Sequence, residues 1–220
     1  MIARELIKDE VPPIKPFESM EKALNWMDEF RVSHLPVVDG NKYYGLVSEN
    51  MIYDCNEPTL PVSELNLTMN RPYMYDDVHV YKVMQMMAEL KLSVVPILNK
   101  KEKFIGLITI KHLMSFLTGT SSISDAGSVI VLEMNQFDYS LAHISQIVES
   151  NDAKILSSYI TSSVDSKIID VTIKVNRKNI EGVLQTFFRY DYKVKASFSE
   201  DEFEQDMKIR YQGLMKYLNI

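Results

Sequence analysis

Two short stretches of the chain repeat a pattern whose polar side chains could contact a ligand. "GLVSENMI" (45–52) places Met51 three residues after Ser48, and "GLITIKHL" (106–113) places His112 three residues after Thr109. Hydroxyls of this kind are good helix N-caps, because their oxygens accept hydrogen bonds from the unpaired amides of the first turn. An imidazole can also donate to or accept from a ligand, whereas a thioether mainly fills apolar space. The two stretches therefore predict one local structure with two different chemistries.

The remaining reactive side chains form no familiar catalytic or metal-binding motif. The four histidines, His34, His79, His112 and His143, show no HxxxH spacing, and Cys55 is alone. Neither a metal site nor an intramolecular disulfide is expected. The sequence indicates no Ser/His/Asp, Cys/His or paired-carboxylate arrangement and no glycine-rich phosphate loop. We therefore expect no catalytic residues and no enzymatic activity.

Composition limits the classes of partner. The 220 residues are 46% hydrophobic and carry a net charge of −6, an ordinary balance for a globular protein. Nucleic-acid binding requires a basic excess that this chain lacks. The sequence contains no apolar run of about 18 residues and begins with charged residues. These features predict a cytoplasmic protein that binds neither nucleic acid nor membrane.

An internal repeat organises the first half of the chain. "VSHLPVV" (32–38) aligns with "LSVVPIL" (92–98), so that Pro36 falls on Pro96 at an offset of 60. Apolar residues before each stretch follow the i, i+3, i+4, i+7 spacing of an amphipathic helix. Each repeat therefore predicts a lead-in, a helix, a β-hairpin and a second helix that begins at Ser48 or Thr109. The strands are expected at about 35–38, 43–47, 94–98 and 104–108.

The paired units "VSHLPVVDGNKYYGLVSENMI" and "LSVVPILNKKEKFIGLITIKHL" resemble tandem CBS domains. The resemblance implies two repeats, 1–57 and 58–117, which form a pseudo-two-fold pair known as a Bateman module. Clefts between such repeats often bind adenosine nucleotides. The family motif is Gly-aliphatic-aliphatic-Ser/Thr-x-x-Asp, in which the hydroxyl lies near phosphate or ribose and the acid binds the ribose hydroxyls. Both repeats keep the hydroxyl and lose the acid.

The resemblance implies an adenine-containing ligand, namely AMP, ADP, ATP or S-adenosylmethionine. Met51 in place of the acid predicts a first cleft that is shut or apolar, whereas His112 leaves the second cleft open to a polar ligand. An ordinary packed or surface role for His112 remains the alternative. The candidate ligand-binding residues are Thr109, His112, Lys111, Pro96, Ser48, Met51, His34 and Pro36.

A Ser/Gly/Thr-rich linker (118–127) separates the repeats from a segment with a different pattern, 128–198. Apolar strands and amphipathic helices alternate there in the order βαββαβ, which is the ferredoxin-like arrangement. The segment containing "LAHI" (141–144) resembles an ACT domain, with Tyr139 where that family has a glycine. This difference favours pairing with another ACT-like domain over amino-acid binding. A capping box and an apolar stripe predict a C-terminal helix over 199–220.

Together these patterns predict a mixed α+β protein with two CBS units, an ACT-like domain and a terminal helix. This architecture resembles acetoin-utilisation B-type proteins. It predicts a homodimeric, non-catalytic regulatory sensor with a small-molecule effector and a regulated protein partner of unknown identity. The alternative is a ligand-free scaffold with degenerate CBS clefts.

Overall fold

The computed structural model describes residues 1–67, 71–120, 122–162 and 167–199. The chain divides into two compact units, Met1–Leu117 and Thr118–Ile220.

The first unit contains two copies of a β-hairpin flanked by helices. Strands β1 and β2 pair in antiparallel fashion, as do β4 and β5. The short β3 adds to β4 in parallel, and an isolated parallel bridge of Ile14 with Val37 takes the same place in the first repeat. Its elements are α1 (Met20–Phe30), β1 (His34–Asp39), β2 (Lys42–Ser48), α2 (Glu49–Cys55), β3 (Met74–Tyr75), α3 (Val80–Leu90), β4 (Val94–Leu98), β5 (Phe104–Thr109) and α4 (Ile110–Thr120).

Helices α1 and α3 begin and end in corresponding ways, 60 residues apart. Ser19 caps α1 by accepting a hydrogen bond from the Lys22 amide at 3.2 Å. Both helices end at a residue in the left-handed conformation, Arg31 (φ 56°) and Lys91 (φ 52°), a common helix terminator. The buried positions follow the predicted spacing and place both helices on one hydrophobic core.

The lead-in of each repeat crosses to the other repeat. The amide of Ala3 donates to the carbonyl of Val78 at 2.9 Å, and the amide of Val62 donates to the carbonyl of Glu18 at 2.9 Å. Short 3₁₀ turns at Ala3–Leu6 and Val62–Glu64 carry these crossings. Because each repeat completes the backbone pairing of its partner, the two repeats form one folded unit.

The second unit contains one four-stranded antiparallel sheet in the order β7-β8-β6-β9. This order, with two helices in the βαββαβ connection, is the ferredoxin-like arrangement. Strand β8 alternates as predicted, with Ile169, Val171, Ile173 and Val175 buried in the core that includes α5 and α6. The elements are β6 (Ser128–Asn135), α5 (Leu141–Glu149), β7 (Ile155–Ser162), β8 (Ile168–Val175), α6 (Glu181–Arg189) and β9 (Lys193–Phe198).

The predicted α+β class, the paired hairpin-and-helix repeats and the βαββαβ segment are confirmed. The predicted C-terminal helix lies, beyond Ser199, outside the described residues. In the described parts of the chain, every helix is too short or too polar to cross a membrane.

Gly106 allows the first lead-in to pack against β5, and its replacement should be costly. Its φ of +148° is rare for other residues, and a Cβ there would lie 2.3 Å from Ile7 Cγ2. We expect Gly106→Ala to lower the free energy of unfolding by about 1–3 kcal/mol, because the packing and the backbone must both shift. Differential scanning calorimetry of the full chain measures the change.

The matched control is Gly119→Ala in α4, where an added Cβ meets nothing within 4 Å. Alanine is the better helix former, so this variant should match or slightly exceed the wild type. Equal melting temperatures for both variants would contradict the assigned packing of Ile7.

Candidate ligand-binding cleft

A cavity of about 390 Å³ lies between the two repeats of the first unit. Its walls come from β1, β2 and α2 of the first repeat, from the end of α3, and from the segment that leads into the second repeat. A volume of this size is within the range of small-molecule pockets. The lining residues are His34, Leu46, Ser48, Met51, Arg71, Pro72, Leu90 and Leu92.

Ser48 and Met51 bring the first motif to the wall of this cavity. Ser48 caps α2, and its oxygen accepts a hydrogen bond from the Met51 amide at 3.3 Å. The Met51 side chain is partly buried against the core. The hydroxyl therefore serves the helix cap and also lies at the cavity, whereas position 51 offers the cavity only an apolar surface.

His34 of the first repeat contacts Ser93 of the second repeat. Its Nδ1 accepts a hydrogen bond from the Ser93 amide at 3.3 Å and lies 3.1 Å from the Ser93 hydroxyl. The Ser93 hydroxyl in turn accepts from the Ser33 amide at 2.9 Å. Burial lowers the pKa of His34, so the ring is neutral at neutral pH. With Nδ1 as an acceptor, the neutral ring carries its proton on Nε2.

Arg71 brings a positive charge to the same cavity. Its guanidinium donates to the Tyr43 carbonyl at 3.0 Å and lies over the Tyr43 ring, 5.6 Å from the centroid. The Tyr43 hydroxyl donates to the Pro72 carbonyl at 2.8 Å, and burial raises the pKa of this tyrosine. These contacts hold residues 71 and 72 against β2 and position the Arg71 side chain. The Tyr43 carbonyl uses one of the five N–H donors of the guanidinium.

The second motif uses its polar groups within the protein. The Thr109 hydroxyl accepts from the His112 amide at 3.2 Å, and His112 Nδ1 accepts from the Thr109 amide at 3.3 Å. This reciprocal pair is a capping box with a histidine as its second member. The remaining nitrogen, His112 Nε2–H, donates to Glu10 Oε2 at 3.2 Å. His112 is only 3% exposed, and this bond lowers the pKa of Glu10.

The two motifs use their polar groups differently in the structure. The cavity lies beside Ser48 and Met51, where a shut or apolar cleft was expected. At the second motif, Thr109 and His112 are buried and bonded to each other, and Lys111 Nζ lies 3.8 Å from Glu10 Oε2. The carboxylate of Glu10, in the lead-in of the first repeat, accepts a hydrogen bond from His112, which replaces the acid of the family motif.

The other sequence candidates fall in different places. His34, Ser48 and Met51 come together at the cavity, whereas Thr109, Lys111 and His112 do not line it. Pro36 and Pro96 also do not line it, because both are buried within β1 and β4, paired with Leu46 and Leu107.

Among the described lining residues, sequence reasoning missed five. The pairing of Ile14 with Val37 in the first repeat corresponds to the pairing of Met74 with Ile97 in the second, 60 residues later. By this offset, the counterpart of Arg71 is Val11, which is buried. A charged residue at a position that is apolar in the other repeat was a usable signal. The five missed residues are Leu46, Arg71, Pro72, Leu90 and Leu92.

The second unit has a separate cavity of about 340 Å³ near the turn from β6 to α5. His143 Nδ1 lies 2.8 Å from the Tyr192 hydroxyl, and burial raises the pKa of Tyr192. The two side chains are therefore joined by a hydrogen bond. Ser140 caps α5 by accepting a hydrogen bond from the His143 amide, and Tyr139 packs against the core at the position of the family glycine.

No group of three or more His, Cys, Asp and Glu side chains suited to a metal ion occurs within residues 1–67, 71–120, 122–162 and 167–199.

Replacing His112 with the family acid should destabilise the protein. In His112→Asp, a carboxylate would replace the imidazole that donates to Glu10, and two like charges brought near each other repel. We expect a melting temperature several degrees below that of His112→Asn, which retains a neutral polar group. Adding Glu10→Gln to His112→Asp should recover part of the loss. If His112→Asp proved as stable as His112→Asn, the role of Glu10 at this cleft would be disproved.

His34 should make stability depend on pH. Burial holds its pKa below the ordinary value of 6.5, so below that pH the unfolded state binds a proton that the folded state resists. The free energy of unfolding should therefore fall as the pH drops from about 7.5 to 5.5. In His34→Asn this decline should be shallower, as measured by urea denaturation at each pH.

The control for this pH series is His79→Asn, because His79 is exposed and asparagine can replace it as the N-cap of α3. The control should keep the wild-type pH dependence. An unchanged slope in His34→Asn would show that this buried ring does not titrate as described.

Comparison with known proteins identifies proteins that are similar to parts of this chain. Inosine-5'-monophosphate dehydrogenase from Korarchaeum cryptofilum is 28% identical over 111 residues, which cover 50% of this chain and 23% of that enzyme. The chain thus spans about a quarter of the length of the curated relatives that it matches.

Two solved structures show similar chains. A CBS domain pair/ACT domain protein from Thermotoga maritima is 12% identical, with a TM-score of 0.47, and the match covers 54% of this chain and 98% of that chain. The CBS domain of a bacterial CNNM/CorC family Mg²⁺ transporter, solved in complex with ATP, is 18% identical with a TM-score of 0.43. That match covers 54% of this chain and 88% of the transporter domain.

The model of the CBS domain family matches this chain twice, over residues 3–55 and 62–119. The two matches fall on the two structural repeats and together cover more than half of the 220 residues, so this chain belongs to the CBS domain family.

Proposed function

We propose that this protein is a regulatory sensor that binds an adenine-containing metabolite in the cavity beside Ser48. The observation that carries the proposal is the 390 Å³ cavity, which combines a guanidinium, an imidazole and a hydroxyl with an apolar wall. Membership of the CBS family supports a ligand-sensing role for a cleft between repeats. AMP, ADP, ATP and S-adenosylmethionine are the candidate ligands.

Charge and shape support an anionic nucleotide. Arg71 supplies a positive charge, and arginine is well suited to phosphate because its planar donors can bind two oxygens at once. Met51, Leu90 and Leu92 supply an apolar surface against which a base can pack. Adenine nucleotides combine an aromatic base with phosphate, so they match both parts of the cavity.

A ligand in this position would contact both repeats. Ser48 and Met51 belong to the first repeat, and Leu90 and Leu92 belong to the second. Regulation requires that the ligand bind one arrangement of the repeats better than another. Contacts to both repeats provide a physical basis for such a preference.

The proposal also includes a cytoplasmic homodimer that pairs through the ACT-like unit and acts on a partner protein. Exposed apolar side chains on one face of its sheet, Tyr159, Ile168 and Phe198, support the proposed dimer contact. We propose no catalytic step, because Ser48 and His34 direct their described hydrogen bonds to Met51 and Ser93 respectively.

A ligand-free scaffold is the second candidate, and one observation favours it. In the second motif, Thr109 and His112 make their hydrogen bonds with each other and with Glu10, which supports a cleft that needs no ligand. If the first cleft also needs no ligand, the CBS pair acts only as an interaction module.

Thermal unfolding with added ligands separates the two candidates. A ligand that binds only the folded protein must raise its melting temperature. We expect at least one of AMP, ADP, ATP and S-adenosylmethionine to raise it at millimolar concentration. In Arg71→Gln the same ligand should bind at least about tenfold more weakly, because a charge-assisted hydrogen bond is lost.

The matched control is Arg31→Gln, since Arg31 lies at the exposed end of α1 and pairs with Asp28 on the surface. This variant should bind the ligand as the wild type does. No shift with any ligand of the panel would refute the sensor and leave the scaffold.

A further inference from the structure

We infer that the cavity beside Ser48 recognises its ligand through donated hydrogen bonds and apolar contact, and therefore does not distinguish ribonucleotides from 2′-deoxyribonucleotides. The inference rests on the proposed function and specifies the ligand class of the same cavity. It follows from the hydrogen-bonding capacity of the lining side chains.

Among the described residues, the polar side chains at the cavity are chiefly donors. Arg71 has donors and no acceptor. His34 uses Nδ1 to accept from the Ser93 amide, so its neutral ring presents an N–H on the other nitrogen. Ser48 accepts from the Met51 amide and has one O–H to donate. Phosphate oxygens, which only accept, complement this set.

Strong acceptors are missing from the same set. None of the described lining side chains carries a carboxylate or an amide oxygen. The Pro72 carbonyl accepts from the Tyr43 hydroxyl, which occupies one backbone acceptor beside the cavity. Ribose hydroxyls bind tightly where a carboxylate accepts their protons. Without such an acceptor, a 2′-hydroxyl adds little binding free energy.

Position 51 is one lining position that lacks such an acceptor. The Met51 amide donates to Ser48 at the start of α2, and its side chain lies at the cavity wall. A thioether sulfur is a weak acceptor that packs equally well against a sugar with or without the hydroxyl. The apolar residue at this position therefore removes sugar selectivity and keeps the volume filled.

Arg71 predicts that the ligand must carry an anionic group to bind tightly. The residue at the equivalent position of the other lead-in is Val11, which is buried. The guanidinium of Arg71 thus has no charged counterpart at that position. Ligands without an anionic group should lose most of their affinity for this cleft.

Isothermal titration calorimetry of the full chain tests the inference. The probes are AMP, ADP and ATP, their 2′-deoxy counterparts and uncharged adenosine. For any nucleotide that binds, we expect the dissociation constants of the ribo and deoxy forms to agree within about threefold. Adenosine should bind at least about tenfold more weakly than AMP, because it makes no charge-assisted hydrogen bond.

Two variants at position 51 make the test specific. Met51→Asp introduces an acceptor, and it should raise the preference for the ribonucleotide to about tenfold or more, the usual value of a hydrogen bond to a charged group. Met51→Leu keeps an apolar side chain of similar volume and should keep the ratio near one.

The possible results separate the inference from the proposed function. A wild-type preference of tenfold or more for the ribonucleotide would overturn the inference while the sensor role stands. An unchanged ratio in Met51→Asp would also overturn it, because position 51 would then not face the sugar. If no nucleotide bound at all, the inference would fall, and the proposed function would rest on S-adenosylmethionine alone.

Discussion

The exchange of lead-in segments between the two repeats is the constraint on which the first unit depends. Ala3 bonds to the backbone of Val78 in the second repeat, and Val62 bonds to the backbone of Glu18 in the first. Neither hairpin-and-helix copy therefore completes its backbone hydrogen bonding without the other. Gly106 contributes to the same exchange, because only a residue without a Cβ lets Ile7 approach β5 so closely.

The lead-ins also decide how the two clefts differ. The first lead-in brings Glu10 to His112 and so supplies a partner for a buried imidazole. At positions that correspond by the offset of 60, the first lead-in has the buried Val11, whereas the second brings Arg71 to the cavity beside Ser48. The pseudo-two-fold backbone is therefore common to both clefts, while the chemistry of each cleft depends on the lead-in that reaches it.

The same hydroxyl position has different consequences in the two motifs. In the second motif, Thr109 and His112 cap each other, so the imidazole that could have met a ligand stabilises the start of α4. In the first motif, Met51 cannot complete such a box, and Ser48 caps α2 alone. The helix start is preserved in both motifs, and the first motif, with the apolar Met51, lies at the wall of a cavity.

Much of the fold was predictable from local pattern. The repeat at an offset of 60 identified the hairpins and helices of the first unit, and the alternation of Ile169, Val171 and Ile173 identified β8. These signals are strong because each element must bury one face, and the spacing of apolar residues along the chain records that face directly. The caps at Ser48 and Thr109 were predictable for the same local reason.

The site was predicted less completely, because its contacts join residues far apart in sequence. Glu10 and His112 are 102 positions apart, and His34 meets Ser93 at a separation of 59. Local spacing carries no information about such pairs, so the sequence did not reveal that His112 is hydrogen-bonded to Glu10. The sequence by itself determined the repeated elements and their caps, since these depend on neighbours within a few residues. Only the tertiary structure decided which polar groups are already satisfied and which line a cavity, because that depends on how the lead-ins cross.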